Sequence, residues 1–172
     1  MCKFRDLTKD EIDVRIGQTK EKYITLLLYK DARVDMNMLD ETVGNGKWQR
    51  EHYEVKGNLY CRVGIKLDDE WVWKSDCGVE SNAEAEKGEA SDSFKRACVN
   101  WGIGRELYTS PEIKIFSDNC EIKKSEFQGK ATFKCYDTFK VEKILIENKT
   151  ITAIAIWNVT QNKRAFVWQA KK

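Results

Sequence analysis

"NLYCRVGIKL", residues 58–67, alternates without a break. Leu59, Cys61, Val63, Ile65 and Leu67 fall on one side of an extended chain, and Tyr60, Arg62, Gly64 and Lys66 on the other. That pattern predicts a strand in a sheet with one covered face. Its neighbours complete a meander: "WQREHYEV", 48–55, as the preceding strand, "DDE", 68–70, as the turn, and "WVWKSDCGVES", 71–81, as the return strand. Three antiparallel strands with a single apolar face need a helix or a second sheet across them.

The segment that ends "EKGEASDSFKRACVNWGIGREL", 86–107, supplies the cover. The spacing predicts a helix over about 82–101, in which Ala90, Ala97, Cys98 and Trp101 lie within about 60° of Phe94 at 100° per residue. Lys95 flanks that stripe and Arg96 opposes it. Lys87 falls on the apolar side, where its stem must snorkel. Asp92 and Arg96 are spaced to pair, and "GIGREL" breaks the helix and redirects the chain.

Working outward, "DLTKDEIDVRIG", 6–17, predicts a short helix capped by Thr8 and Glu11 and ended by Gly17. "KYITLLLY", 22–29, is almost continuously apolar and predicts a buried strand. "KDARVDMNMLDETVG", 30–44, predicts a helix with Val34, Met38 and Leu39 on one face, Gly44 at its end and Arg33 near its start. Beyond Pro111 the pattern changes to short strands at 112–116, 131–137, 139–146, 150–157 and near 164–169, with "ENKT", 147–150, as a hairpin. The expected class is α+β: a twisted antiparallel sheet with a β-β-β-α core packed on a long helix, with additional C-terminal strands. A length of 172 residues fits a single domain.

Formal charge is 30 minus 28, or +2, so no global positive field points to nucleic acid. Its distribution is uneven: residues 41–100 hold 9 basic and 12 acidic residues, net −3, whereas 140–172 hold 7 and 2, net +5. The six cysteines are scattered, and Cys61 and Cys98 at apolar phases read as reduced thiols of a cytoplasmic protein. A structural zinc site needs close ligand pairs, and the sole histidine is His52. With no secretory signal and no long apolar run, neither export nor membrane insertion is expected.

Enzyme chemistry finds little support. There is no phosphate-cradling G-x-x-x-x-G-K-S/T loop, and "GIGRE" follows a helix rather than a strand, unlike a dinucleotide fingerprint. A metal-dependent nuclease through Asp68, Asp69, Glu70 and Asp76 is an alternative, as is His52 acting as a general base, but no catalytic residue, cofactor or metal is expected. Arg33, Arg62, Lys66, Lys87, Lys95 and Arg96 are the candidates to neutralise phosphates, and Tyr60 shares a strand face with Arg62, where it can stack on a base. The other reading is a structural or protein-interaction module on which these cations only solvate the surface. Trp48, Trp71 and Trp73 stay open between core, subunit contact and stacking.

"DARVDMNMLDETVGNGKWQRE", "NLYCRVGI", "DCGVES" and "EAEKGEASDSFKRACVNWGIGRELY" together resemble phage and prophage members of the Rad-type single-strand annealing superfamily, whose eukaryotic relatives act in double-strand break repair. The resemblance covers residues 22–110 most strongly, leaving 111–172 as a β-rich extension. It implies ATP-independent binding of single-stranded DNA and annealing of complementary strands in a bacterial host cytoplasm. It also implies a homo-oligomeric ring or helical filament with a continuous positive groove, and partners such as a phage exonuclease or a single-strand-binding protein. The implied groove residues are Arg33, Lys87, Lys95 and Arg96. Where the eukaryotic pattern has a further arginine three residues after the Lys-Arg pair, this chain has Val99, and Arg105 is the candidate replacement. An aromatic residue after the first helix is also missing, because Asn45 follows Gly44.

Overall fold

The computed structural model describes residues 3–78, 85–127 and 130–171. The chain groups into two compact units, Met1–Asp6 with Asp31–Arg105, and Leu7–Lys30 with Glu106–Lys172.

The first unit realises the meander. Strands β3 (Trp48–Val55), β4 (Asn58–Leu67) and β5 (Glu70–Cys77) form an antiparallel sheet in the order β3-β4-β5. Asp68 and Asp69, both at positive φ, make the type I′ turn whose twist suits a two-residue hairpin. Helix α2 (Ala85–Trp101) lies across β4 and β5. The expected stripe is where packing occurs: Phe94, Ala97 and Cys98 are fully buried, as are Cys61, Val63 and Ile65 beneath them. Trp101 is tied down by its indole N–H, which donates to the Val63 carbonyl at 3.0 Å. Gly102 then takes φ +97°; its N–H donates to the Val99 carbonyl and the next N–H, of Ile103, to that of Cys98. This is the Schellman closure, which favours a residue without Cβ. The first residues of the expected helix, 82–84, and the end of the return strand, 79–81, lie outside the described residues.

Helix α1 (Ala32–Val43) starts at an Asp31 N-cap, buries Met38 and Leu39, and packs against α2. Trp48 connects α1 to the sheet: its indole N–H donates to Asp40 at 2.6 Å, and its ring stacks on Phe94 at 6.2 Å.

The second unit corrects two expectations near the N-terminus. The 6–17 segment is not a helix. The Thr8–Glu11 capping box does form, with Thr8 N–H donating to the Glu11 carboxylate at 2.8 Å, but it starts only a single 3₁₀ turn, Lys9–Glu11. Val14 and Ile16 then alternate with polar residues, and strand β1 (Asp13–Thr19) pairs with β2 (Tyr23–Tyr29) instead. Nor is β2 buried throughout: Ile24 and Leu26 are buried, whereas Leu27 is 47% exposed, so one face of the strand meets solvent.

Strand β6 (Ile113–Phe116) joins the same sheet, in the order β1-β2-β6. Strands β9 (Phe139–Glu147), β10 (Thr150–Asn158) and β11 (Lys163–Gln169) form a sheet of their own, with Asn148 and Lys149 as the expected hairpin turn. The expected 131–137 strand stops at Lys134: β8 (Lys130–Lys134) pairs with β7 (Lys123–Phe127), and Asp137 turns inward. There its carboxylate accepts from Glu121 N, Asn158 Nδ2 and Gln161 Nε2 at 2.8–3.0 Å, which satisfies a buried acid. Strand β7 was not expected, because "KKSEF" has no apolar alternation to announce it.

Candidate nucleic-acid interface

All eight candidate binding residues lie in the first unit, but they do not form one cluster. Those on the helical side come first. Asp31 Oδ1 accepts the Arg33 backbone N–H at 2.8 Å, which caps α1, and also the Arg33 Nε at 3.0 Å. The Arg33 hydrogen bonds hold the Asp31 carboxyl below the usual carboxylate range, and the charge of Lys95 adds to this. That coupling links the start of α1 electrostatically to the middle of α2. The Arg33 side chain is 81% exposed, and Lys95, half-buried, has no carboxylate partner among the described residues.

A further cation on this side escaped the sequence reading. Arg50 sits in the phase of β3 that holds Trp48 and His52, where an inward basic residue looks misplaced. Its guanidinium lies over the Phe94 ring, 4.7 Å from the centroid, and the residue stays exposed. Arginine can cover an apolar ring and still present its charge to water. The available signal was a charged residue in an apolar phase beside an aromatic helix stripe.

Two other candidates have partners within the unit. Arg96 reaches across to β5 and pairs with Asp76 at 3.4 Å. Arg105 turns back on α2 and donates to the Val99 and Asn100 carbonyls at 3.1–3.3 Å, with Lys74 also donating to Asn100 at 2.9 Å. These carbonyls belong to the last turn of α2, where positive charge is favourable. Lys87 belongs to α2, and its side chain lies outside the described residues.

Tyr60, Arg62 and Lys66 sit on the other side of the sheet, away from α2. Each cation there has an acid: Arg62 donates from Nε to Glu51 at 2.9 Å, and Lys66 pairs with Asp69 at 2.9 Å. The Arg62 guanidinium also lies 4.6 Å from the Trp73 ring centroid, and Tyr60 stacks on Tyr53 at 5.7 Å. Trp71 and Trp73 share this face, 6.1 Å apart. The three tryptophans left open by the sequence thus divide, Trp48 to the helical side and the other two to the open face.

The nuclease candidates are not gathered. Asp68, Asp69 and Glu70 occupy the β4–β5 turn, whereas Asp76 lies six residues along β5, roughly 20 Å away at strand spacing, and pairs with Arg96. Among the described residues no group of three or more His, Cys, Asp or Glu is arranged to hold a metal ion. His52 is committed to packing: its Nε2–H donates to the Ala90 carbonyl of α2 at 3.0 Å. No helix among the described residues is long and apolar enough to cross a membrane.

Residues 4–127 match the Rad52/22 family of double-strand break repair proteins. The chain belongs to that family. The matched span takes in both helices, the β3–β5 sheet and every candidate binding residue. The chain is also similar to the single-stranded DNA-binding protein DdrA of Deinococcus radiodurans, 37% identical over 89 residues. That alignment spans 51% of this chain and 42% of the relative, so somewhat less than half of the relative's length is represented.

Proposed function

We propose that this protein binds single-stranded DNA and anneals complementary strands without ATP, in phage-type homologous recombination. The observation that carries the reading is the basic surface at the start of α1 and along α2. Arg50 and Lys95 offer charge there on rigid elements, Arg50 over the packed Phe94 ring, and Arg33, though shared with Asp31, keeps its side chain 81% exposed at the start of α1. Such cations neutralise phosphates without reading sequence, as an annealing protein requires. Membership of a break-repair family and the similarity to a named single-stranded DNA-binding protein support it.

The mechanism is physical. The rail holds the sugar–phosphate backbone of one strand and leaves its base edges free, so a second strand can test registry. Mismatched encounters dissociate, and matched ones extend by pairing and stacking. Three or so phosphate contacts per subunit give weak binding, and repetition in a homo-oligomeric ring or filament raises it by effective concentration. An exonuclease or a single-strand-binding protein would deliver the strands.

The test uses labelled complementary oligonucleotides in the absence of ATP. The wild type accelerates duplex formation, and the Arg33→Ala/Lys95→Ala double variant, with fold and assembly mass verified, anneals at least about tenfold more slowly. Unchanged annealing by that variant overturns the rail. No annealing by the wild type favours an interaction module, and Mg²⁺-dependent strand loss favours a nuclease.

A further inference from the structure

We propose that the open face of the β3–β5 sheet is a stacking platform for the bases of single-stranded DNA, separate from the phosphate rail on the helical side. The inference rests on the reading above that the chain binds single-stranded DNA, and it adds a second mode of contact.

The face is built from planar groups. Tyr53 and Tyr60 are directly opposed across β3 and β4, with ring planes 24° apart. Four residues further along β4 is Gly64, opposite Trp73. A Cβ at Gly64 would meet three atoms of the Trp73 six-membered ring at 2.8–2.9 Å, so the indole lies flat on the β4 backbone in the space a side chain would fill. Arg62, between the two aromatic pairs, lays its guanidinium over that indole. Trp71 adjoins Trp73 and is 38% exposed.

What the face recognises follows from its charges. Arg62 is paired with Glu51 and Lys66 with Asp69, so little positive charge is left for phosphates. The remaining offer is uncharged aromatic surface plus a guanidinium plane, and both stack on the π-faces of bases irrespective of sequence. A contact between copies of the chain fits less well, because Glu51, Lys66 and Asp69, of residue types depleted from interface cores, take part in the two ion pairs on this face. The platform thus offers stacking surface on one side of the sheet, and the rail offers charge on the other.

The experiment compares a dT oligonucleotide with an abasic oligonucleotide of the same length, which keeps the phosphates and lacks the bases. For the wild type, the dT oligomer binds at least about fivefold more tightly at equal salt. In Trp71→Leu and Tyr60→Leu, which keep apolar bulk but lose the ring, that ratio falls toward one, while Trp71→Phe keeps most of it. Equal binding of the two oligomers by the wild type overturns the platform and leaves the rail standing, whatever the variants do. A ratio unchanged in both leucine variants overturns it too, and if their assembly mass falls at the same time the face is a contact between copies. Failure of both oligomers to bind overturns the platform together with the DNA reading.

Discussion

The two faces of the β3–β5 sheet are built from the same three strands and serve opposite ends. One face lies under α2, where Cys61, Val63 and Ile65 meet Phe94, Ala97 and Cys98 with no solvent exposure. The other carries Tyr60, Arg62 and the Trp71–Trp73 pair in the open. Alternation along β4 decides which residue goes where, and a shift of one position would exchange the two sets. The covered face therefore carries most of this unit's stability, and surface chemistry is confined to the open face and to the rim beside α1 and α2.

Phe94→Ala attacks that division most directly. It removes a fully buried ring that touches Trp48 and Arg50, and destabilisation by about 3–5 kcal/mol is expected in chemical denaturation. Trp71→Ala on the open face is expected to cost less than about 1.5 kcal/mol, mostly its contact with Trp73. Similar costs would mean that the open face is not open in solution.

Two cysteines sharpen the same contrast. Cys61 faces α2, and burial pushes its thiol up to about 11. Cys77 shares a row with Tyr60 and is half-exposed. At pH 8 only about one Cys61 in a thousand is thiolate, so iodoacetamide, followed by peptide mass spectrometry, is expected to label Cys77 at least about a hundredfold faster. Labelling at equal rates would show that α2 does not stay closed over the sheet.

The covered face was legible in the sequence because one period governs it. The alternation of 58–67 gave β4 with its observed bounds, and the 3.6-residue stripe around Phe94 gave the buried side of α2. Legibility failed where a local signal and a tertiary one competed. Thr8 and Glu11 form a true capping box, yet pairing of Val14 and Ile16 with β2 wins beyond the first turn. Strand β7 had no periodicity to read at all. In the candidate site, sequence phase placed Arg62 and Lys66 correctly on the outer face but not the acids that neutralise them, because Glu51 is a cross-strand neighbour. The partners of Arg96 and Arg105, Asp76 and the last carbonyls of α2, were hidden for the same reason, because they come from the folded chain. Arg50 was missed because a strand reading assigns an inward arginine no role.

The division between faces also makes the two groups of cations unequal. Lys95→Ala removes a charge without a carboxylate partner among the described residues, whereas Lys66→Ala removes one already paired with Asp69. For single-stranded DNA the salt dependence is expected to lose about 0.7 in log–log slope in the first case, equivalent to about fivefold in affinity at 0.1 M salt, and much less in the second. Equal losses would place phosphate on the open face and remove the basis for separating platform from rail.

The smallest expected effect is a gain. Asp31 caps α1 and also occupies Arg33, so its carboxylate withholds charge from the rail. Asparagine keeps the oxygen that accepts the Arg33 N–H and removes the negative charge, so Asp31→Asn should preserve the helix while releasing Arg33. Affinity for a dT oligomer is then expected to rise by about two- to threefold, with a steeper salt dependence. The pH behaviour follows from the sign of the shift. Because Arg33 holds the folded-state carboxyl below its ordinary value, the pair's contribution to stability is complete above about pH 4 and is lost as pH falls through the lowered folded value. Asp31→Asn removes that dependence, so between pH 5 and pH 3 its denaturation midpoint should fall slightly less than that of the wild type. The difference is small, because both side chains are largely in water, where such a pair is screened. Weaker binding by Asp31→Asn would reverse the assignment: the carboxylate would then be aiming the guanidinium at the backbone rather than competing for it, and Arg33 would act only as one half of a pair.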